Sequence, residues 1–312
     1  AWAATRCLAA QQEDDGDPQA SLETIEALLG RLHGHDLAGI HLLELHLHRL
    51  QVLMSLGRYS QVVDACSRAQ VLLERVLPSW GEFFRTTLHM EGAYCAVYLD
   101  PRPETAGRLL ESLEPIDLPG TLRFIARSVR GELELTRGNV RTAALIQRVS
   151  LRYAGNWRSI LGSGSQWELY ILSMCLVTDV ELSPDDAVEL DARAVRARAT
   201  SLLREILSDP APRQRDIPTL MAFAAAVGLS AVAAEDVGSD RRAVGGELVA
   251  TALAVGTNQT CRLLSHDYLR SRTERLDARA LAQAEERIRS LDRGGLVAHA
   301  ADLAGRLAGE VG

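Results

Sequence analysis

The feature that most constrains this sequence is an even spacing of helix-start and turn signals. Each helix-start signal places a capping side chain before a proline, which a helix tolerates at its first position. The three signals are 83 residues apart in both intervals: Asp17-Pro18, Asp100-Pro101 and Ser183-Pro184. Turn positions step by 41, 42 and 39 residues: Gly16, Gly57, Leu99 and Gly138. An internal repeat of about 41 residues predicts stacked supersecondary units.

Each repeat unit carries two amphipathic runs, because apolar residues recur at intervals of three and four. The runs of the second unit are Ile40, Leu43, Leu47, Leu50 and Met54, then Val62, Cys66, Ala69 and Leu72. The pattern predicts helix pairs over about 1–12 with 18–32, 40–54 with 62–72, 84–99 with 106–113, and 122–136 with 141–153. None of these helices could bury its apolar face alone, so neighbouring pairs must stack.

The composition also favours an all-α fold. Aromatic residues make up only 4% of the chain, whereas Ala, Leu and Val are abundant, which suits helix interiors better than sheet faces. Every basic residue is arginine, a bias typical of a GC-rich, actinobacterial genome, and this excludes a P-loop lysine, a Schiff-base lysine and an amine nucleophile. The formal net charge of −7, with no basic block, argues against direct nucleic-acid binding by this segment.

Cysteine usage and hydropathy indicate the compartment. The five cysteines are widely spaced and form no CxxC pair: Cys7, Cys66, Cys95, Cys175 and Cys261. This pattern suits buried thiols in a reducing cytoplasm better than a disulfide framework or a zinc ribbon. No apolar run reaches the roughly 18 residues of a membrane span, so a cytoplasmic protein is expected. The start at Ala1 without a methionine suggests a piece of a longer chain.

Two stretches place small residues at the spacing of a known helical repeat. They are Gly57-Arg58-Tyr59 with Val62, Cys66 and Ala69, and Gly131 with Gly138 and Ala143. They resemble the glycine turn and small-residue ladder of a tetratricopeptide repeat, in which small side chains let two helices approach closely. The longer units are similar to those in the sensor arms of large bacterial transcription regulators, the MalT-like group. Helix pairs of the HEAT type are the structural alternative.

The resemblance implies a right-handed superhelix whose concave groove takes a peptide, a partner protein or a small effector. Groove positions carried over from the family lie on the first helix of each pair: Glu44, Leu47, Gln51, Met54 and Ser55; Thr86, His89 and Ala93; Ser128, Glu132 and Leu135. His48 lies at the rim of this groove. The implied function is a non-catalytic sensing arm of a regulator, with a homodimer among the expected assemblies. The alternative is an enzyme of unknown reaction on an all-α scaffold.

The sequence predicts three segments: four helix pairs over 1–155, a glycine- and serine-rich hinge over 156–166, and further helices with a C-terminal cap over 167–312. Helices of the last segment are expected over about 166–177, 184–207, 218–233, 243–264, 278–291 and 296–307. Trp157 and Trp167 flank the hinge, where they would pack between the halves or line a ligand pocket. An arginine run over 193–204 is interpreted as a solvated helix face.

Histidines are concentrated between residues 33 and 48, which raises the question of a metal site. His41, Glu44 and His48 recur at three and four residues on one side of a helix, so their imidazole and carboxylate groups form a weak zinc candidate. The helix itself offers no clear further ligand. Neither a GxSxG elbow nor a Cys-His pair in a recognisable context is present, so no catalytic residue and no cofactor are expected.

Overall fold

Left-handed glycines end helices at the spacing predicted from the sequence. In the computed structural model, φ is +82° at Gly16, +68° at Gly57 and +82° at Gly138. Glycine adopts this conformation without the penalty that a Cβ atom imposes. The structure describes residues 2–32, 39–76, 88–89, 92–93, 96–97, 104–112, 120–154, 164–182, 192–208, 216–257 and 262–308. These residues contain helices and turns and no strand, so the all-α prediction is confirmed.

The described residues up to Arg137 form one compact unit, and those from Gly138 onward form a second. The helices of the first unit are α1 (Trp2–Asp14), α2 (Pro18–Leu32), α3 (Gly39–Ser55), α4 (Tyr59–Val76), α5 (Glu104–Glu111) and α6 (Gly120–Thr136). Most of the predicted helix over 84–99 lies outside the described residues, as do residues 156–163 of the predicted hinge.

The core of the first unit is built by neighbours in the chain, since α1 packs on α2, α2 on α3 and α3 on α4. The predicted apolar stripes supply it: Leu43, Leu50, Val62, Cys66 and Ala69 are all buried. A second cluster joins α5 to α6 through Ala106, Leu110, Val129 and Leu133. Each helix therefore buries its apolar face against the helix before or after it, as the stripe pattern requires.

The second unit contains α7 (Val140–Ala154), α8 (Gly164–Glu181), α9 (Ala192–Leu207), α10 (Ile217–Ala233), α11 (Ser239–Val255), a 3₁₀ turn (Arg262–Leu264), α12 (His266–Ile288) and α13 (Arg293–Ala308). The predicted boundary at residue 155 lies directly after α7, which packs against α8. The centre of the unit is α10, whose residues from Leu220 to Ala231 are all buried. This helix contacts α8, α9, α11 and α12, so it is covered on every side.

Two helix predictions in this unit need correction. The helix expected over 243–264 begins at Ser239 and ends at Val255, because Gly256 follows with a φ of +102°. The helix expected to begin near residue 278 follows the break at Asp277 as predicted, but the helical stretch from His266 that precedes this break within α12 was not predicted. This first half of α12 is rich in charged residues, and only Leu269 and Thr273 in it are buried. So short an apolar stripe carries little of the periodicity that predicts a helix.

Two glycines let α10 and α11 cross at backbone contact. A Cβ atom at Gly228 would lie 2.5 Å from the Gly245 carbonyl oxygen, and a Cβ atom at Gly245 would lie 2.8 Å from the Gly228 carbonyl oxygen. Both distances are shorter than van der Waals contact, so neither position accepts a side chain without separating the helices. The neighbouring Gly246 is different, since a Cβ atom there would meet only Val232 Cγ2, at 4.0 Å.

A sharp bend divides α12 at Asp277, where φ is −159° and ψ is 80°. The Asp277 side chain caps the second half, because its Oδ1 accepts the Ala280 amide hydrogen bond at 2.9 Å. Arg270 Nη1 in the first half donates to Glu285 Oε1 in the second half at 2.7 Å. In a straight helix these two residues would be separated by about 22 Å, beyond the reach of their side chains. The halves therefore fold toward each other.

A partly buried carboxylate joins α11 to the two helices that follow it. Glu247 Oε2 accepts from Arg287 Nη2 of α12 at 2.8 Å, and Glu247 Oε1 lies 2.8 Å from His299 Nε2 of α13. Burial raises the pKa of the Glu247 carboxyl, but the hydrogen bonds from His299 and Arg287 outweigh it and hold this pKa below its ordinary value. The ionised form is therefore the one that stabilises this junction.

The helix crossing predicts opposite effects for adjacent substitutions. Gly246→Ala adds a methyl group in open space and removes backbone freedom from the unfolded chain, so the protein should become more stable by roughly 0.5–1 kcal/mol. Gly245→Ala places a methyl group against the Gly228 carbonyl and the Ala231 Cβ atom, 2.9 Å away, and should destabilise by roughly 1–3 kcal/mol. Thermal unfolding followed by circular dichroism measures both, and equal midpoints would contradict the crossing.

The Glu247 junction predicts a pH dependence. Because its folded-state pKa is depressed, Glu247 contributes stability that is complete above its unfolded-state pKa and is lost as the pH falls through the folded-state value. Between about pH 6 and pH 3 the wild type should lose more thermal stability than Glu247→Gln. The control is Glu286→Gln, which removes an exposed pair with Arg289 and should leave the pH profile unchanged. Parallel profiles for wild type and Glu247→Gln would refute this linkage.

Candidate functional site

The polar residues predicted to line a groove on α3 contact α1 instead of standing free. Arg6 Nη1 lies 2.8 Å from Glu44 Oε2, and His48 pairs with Glu13 through its Nε2 atom. Both contacts join α3 to α1, so the first helices of the first two pairs lie side by side on this face. Glu44 and His48 therefore hold the helix pairs together, which limits their capacity to bind a further molecule.

The other predicted groove residues of α3 divide into two groups. Leu47 and Met54 are partly buried and pack against the core of the first unit. Gln51 and Ser55 are exposed, and the Ser55 hydroxyl donates to the Gln51 carbonyl oxygen at 3.0 Å. Of the four, only Gln51 and Ser55 present their side chains to a partner on this surface.

The predicted groove positions of the third and fourth pairs are less exposed than expected. Ser128 and Glu132 are 1% and 2% exposed, Ala93 is buried and Leu135 is half-buried. His89 Nδ1 lies 3.0 Å from the Ser112 hydroxyl oxygen. Thr86 and Trp157 lie outside the described residues, and Trp167 lies in α8, where only its backbone is described.

The three residues of the zinc candidate are not arranged as metal ligands in the part of the chain that the structure describes. His41 Nδ1 lies 3.5 Å from Glu44 Oε2, while His48 pairs with Glu13. Over the described residues, no group of three or more His, Cys, Asp or Glu side chains is arranged to hold a metal ion. His33 and His35 lie outside those residues.

A buried thiol and a neighbouring carboxylate on α8 form a Cys-acid neighbourhood that a catalytic interpretation would use. Burial raises the pKa of the Cys175 thiol to about 12, helped by the charge of Asp179. Burial also raises the pKa of Asp179, against the opposing effect of Arg148, whose Nη2 donates to Asp179 Oδ1 at 2.7 Å. At neutral pH the thiol is protonated, so it is a packing group and not a nucleophile.

A pocket lined by three arginines lies in the second unit where four helices meet, and we call it the arginine pocket. It encloses about 440 Å³, within the range of small-ligand sites. Arg193 and Arg196 reach it from α9, Arg241 from the first turn of α11, and Asp236 from the connection between α10 and α11. Its remaining walls are Ala194, Ala197, Thr200, Ala231, Val237 and Leu307.

Two of the three arginines are held by the ends of neighbouring helices. Arg196 Nη1 donates to the Ser230 carbonyl oxygen at 3.2 Å, near the end of α10, and its Nη2 donates to Asp236 Oδ1 at 3.2 Å. Arg241 Nη2 donates to the Leu307 carbonyl oxygen at 2.7 Å, near the end of α13. Cations near helix C-termini are favourable because they meet the negative end of the helix dipole.

The third arginine differs from the other two. Arg193 is exposed and makes no hydrogen bond or ion pair with any described residue. Among the described residues that line the pocket, three arginines accompany one carboxylate, Asp236, which gives these residues a formal charge of +2. A guanidinium presents parallel N–H groups that bind carboxylate and phosphate oxygens in pairs, so this charge favours a small anion.

Sequence reasoning missed this pocket because it treated the arginines of α9 together as a solvated face. The structure separates them: Arg204 is exposed, whereas Arg198 Nε and Nη2 donate to both carboxylate oxygens of Glu168 on α8, at 2.7 and 3.0 Å. The available signal was the three-residue spacing of Arg193 and Arg196, which places both on one side of α9. Arg241 is distant in sequence, and only the packing of α11 brings it near them.

Comparison with known proteins assigns no family. No family model matches the chain, and no curated protein and no solved structure matches it either. Among the helices over the described ranges, none is both long and apolar enough to cross a membrane.

The environment of Cys175 predicts selective thiol labelling. Iodoacetamide at about pH 8 should modify the exposed Cys7 of the folded protein and leave Cys175 unmodified, because only the thiolate reacts and burial suppresses it. Peptide mass spectrometry measures the modification at each position, and labelling in urea provides the control in which both react. Rapid labelling of Cys175 in the folded protein would contradict this assignment.

Proposed function

We propose that this chain is a non-catalytic binding module that senses a small dianion through the arginine pocket of its second unit. The observation that carries the proposal is the excess of three guanidinium groups over one carboxylate around a cavity of about 440 Å³. The ligand class is defined by two acidic groups on a small body, as in a dicarboxylate or a phosphate ester. A pocket of this volume takes a ligand of small-molecule size.

Arg193 is the residue that a ligand would engage most readily. Its guanidinium makes no contact with a described acid, so a bound anion does not have to displace an existing ion pair. Arg196 already pairs with Asp236, whose side chain is 54% exposed and is therefore able to move. A dianion that binds Arg193 and Arg196 together neutralises the charge excess of the pocket, which favours two acidic groups over one.

The sensing role rests on the position of the pocket and on the repeat resemblance. The cavity is lined by residues from α9, α11 and α13 and from the α10–α11 connection. A ligand that binds more tightly to one arrangement of these elements therefore increases the population of that arrangement. Helical repeat units that resemble the MalT-like sensor arms suit the same role. We infer a regulatory arm in a cytoplasmic bacterial protein, with the first unit available for a protein or peptide partner.

The second candidate function is peptide or protein binding by the first unit. It is favoured by Gln51 and Ser55, which are exposed on α3 beside the contacts that align this helix with α1. Gln51→Ala combined with Ser55→Ala should weaken binding of such a partner and leave anion binding unchanged. The two functions are therefore separable in one set of variants.

The dianion proposal predicts a binding defect without a folding defect. At constant ionic strength, inorganic phosphate or succinate should raise the unfolding temperature of the intact chain more than the monoanions chloride and acetate. Arg193→Ala should weaken the binding of the effective dianion by about tenfold or more, since one charged hydrogen-bonding group is lost. Its unfolding temperature without ligand should match that of wild type, because Arg193 has no described partner.

The matched control is Arg204→Ala, which removes an exposed arginine from the same helix and lies outside the pocket. It should bind the dianion like wild type. Isothermal titration calorimetry provides the affinities. The proposal is overturned if no dianion of the series binds, or if Arg193→Ala and Arg204→Ala bind it equally well.

A further inference from the structure

A second cavity of about 520 Å³ lies at the bend of α12, and we call it the bend pocket. The α10–α11 connection separates it from the arginine pocket, since Val237 lines both. Its apolar wall comes from three elements: Val232 at the end of α10, Val237 in the connection, and Leu276 and Leu281 on the two sides of the α12 bend. The volume is within the range of small-ligand sites.

The bend creates this cavity and leaves an apolar side chain uncovered in it. Leu281 in the second half of α12 is 2% exposed, whereas Leu276 at the end of the first half is 45% exposed. A straight helix would continue its packing past Asp277, but the break turns the backbone and opens a space bounded by Gly246 of α11. An apolar ligand body placed there would cover Leu276, at a gain of about 25 cal/mol for each Å² removed from water.

Arg242 supplies the cationic group of this cavity. Arg242 Nε donates to the Ala234 carbonyl oxygen at 3.1 Å and Nη2 donates to the Glu235 carbonyl oxygen at 3.2 Å. Both partners are neutral, and no carboxylate among the described residues pairs with Arg242. The two bonds hold the side chain in place while its Nη1 donors remain available to a ligand.

The carboxylate that lines the bend pocket is already engaged. Asp277 Oδ1 accepts the Ala280 amide hydrogen bond, and the positive end of the second half of α12 lies beside it. The helix end beside Asp277 therefore partly compensates its charge, and two carbonyl oxygens partly compensate that of Arg242 but leave its Nη1 without a described partner. The net preference of the pocket is for one anionic group at the Arg242 end and an apolar body against the leucines.

We propose that the bend pocket binds an amphipathic monocarboxylate, a short-chain fatty or aryl acid, with its carboxylate on Arg242 and its chain against Leu276 and Leu281. This site differs from the arginine pocket in charge, because its described lining carries one arginine and one carboxylate, against three arginines and one carboxylate there. A dianion is unsuited to a pocket whose described lining carries a single guanidinium. The two proposals can therefore be tested separately.

Gly246 supplies a substitution that fills the cavity without disturbing the helix crossing. A Cβ atom there meets only Val232 Cγ2, at 4.0 Å, so Gly246→Leu places its side chain in the pocket, whereas Gly246→Ala leaves most of the volume open. Arg242→Gln removes the charge, and Arg242→Lys retains it. Thermal unfolding identifies any variant that fails to fold. In that case Gly246→Ala and Arg242→Lys remain as the variants to compare with wild type.

The experiment measures binding of octanoate, octanol and octylamine to the full chain by isothermal titration calorimetry. Octanoate should bind wild type and Gly246→Ala alike, bind at least about tenfold more weakly to Arg242→Gln, and show no binding to Gly246→Leu. Arg242→Lys should retain more affinity than Arg242→Gln, and Arg193→Ala should bind octanoate like wild type. Octanol and octylamine should bind more weakly than octanoate.

Three results would overturn the assignment: no binding of octanoate to wild type, equal binding to wild type and Gly246→Leu, or tighter binding of octylamine than of octanoate. The last result would assign the pocket to a cationic amphiphile held by Asp277. Failure of phosphate and succinate to bind would refute the arginine-pocket proposal alone, because neither probe tests the bend pocket.

Discussion

The backbone contact between α10 and α11 at Gly228 and Gly245 is the constraint on which the second unit depends. Because neither residue has a side chain, the helices approach until each carbonyl oxygen occupies the space of the other's Cβ atom. This approach buries α10 on every side and sets the positions of the α10–α11 connection and of the first turn of α11. Both candidate pockets border that connection, so their geometry follows from the crossing.

Arginine–carboxylate pairs orient the helices that this apolar centre brings together. Glu168 pairs with Arg198 between α8 and α9, Asp179 pairs with Arg148 between α8 and α7, and Glu247 joins α11 to α12 and α13. Paired charges at partly buried positions select among packings that hydrophobic burial alone would leave similar in energy. Arg193 and Arg242, which pair with no carboxylate among the described residues, each line one of the two pockets and are the groups proposed to bind ligand.

Much of the first unit was predictable because its signals are local. Pro18 begins α2 at the predicted residue, and Gly16, Gly57 and Gly138 adopt the left-handed conformation that ends a helix. The first half of α12 was not predicted, because its many charged residues leave only a short apolar stripe. The predicted end of α11 was also wrong, because the helix ends before Gly256. The groove positions followed a family pattern, but the described packing buries Ser128 and Glu132. Their exposure depends on neighbouring helices, which periodicity does not specify.

The sequence by itself determined the all-α class and the first two helix pairs, because caps, turns and apolar spacing act within a few residues, and its composition excluded lysine chemistry. Only the tertiary structure decided where binding groups converge. Arg193, Asp236 and Arg241 lie on three separate segments, and Leu276 became a pocket residue through the bend at Asp277. A pocket forms where segments distant in the chain pack incompletely, and the contacts that leave such a space are set by three-dimensional packing rather than by local sequence.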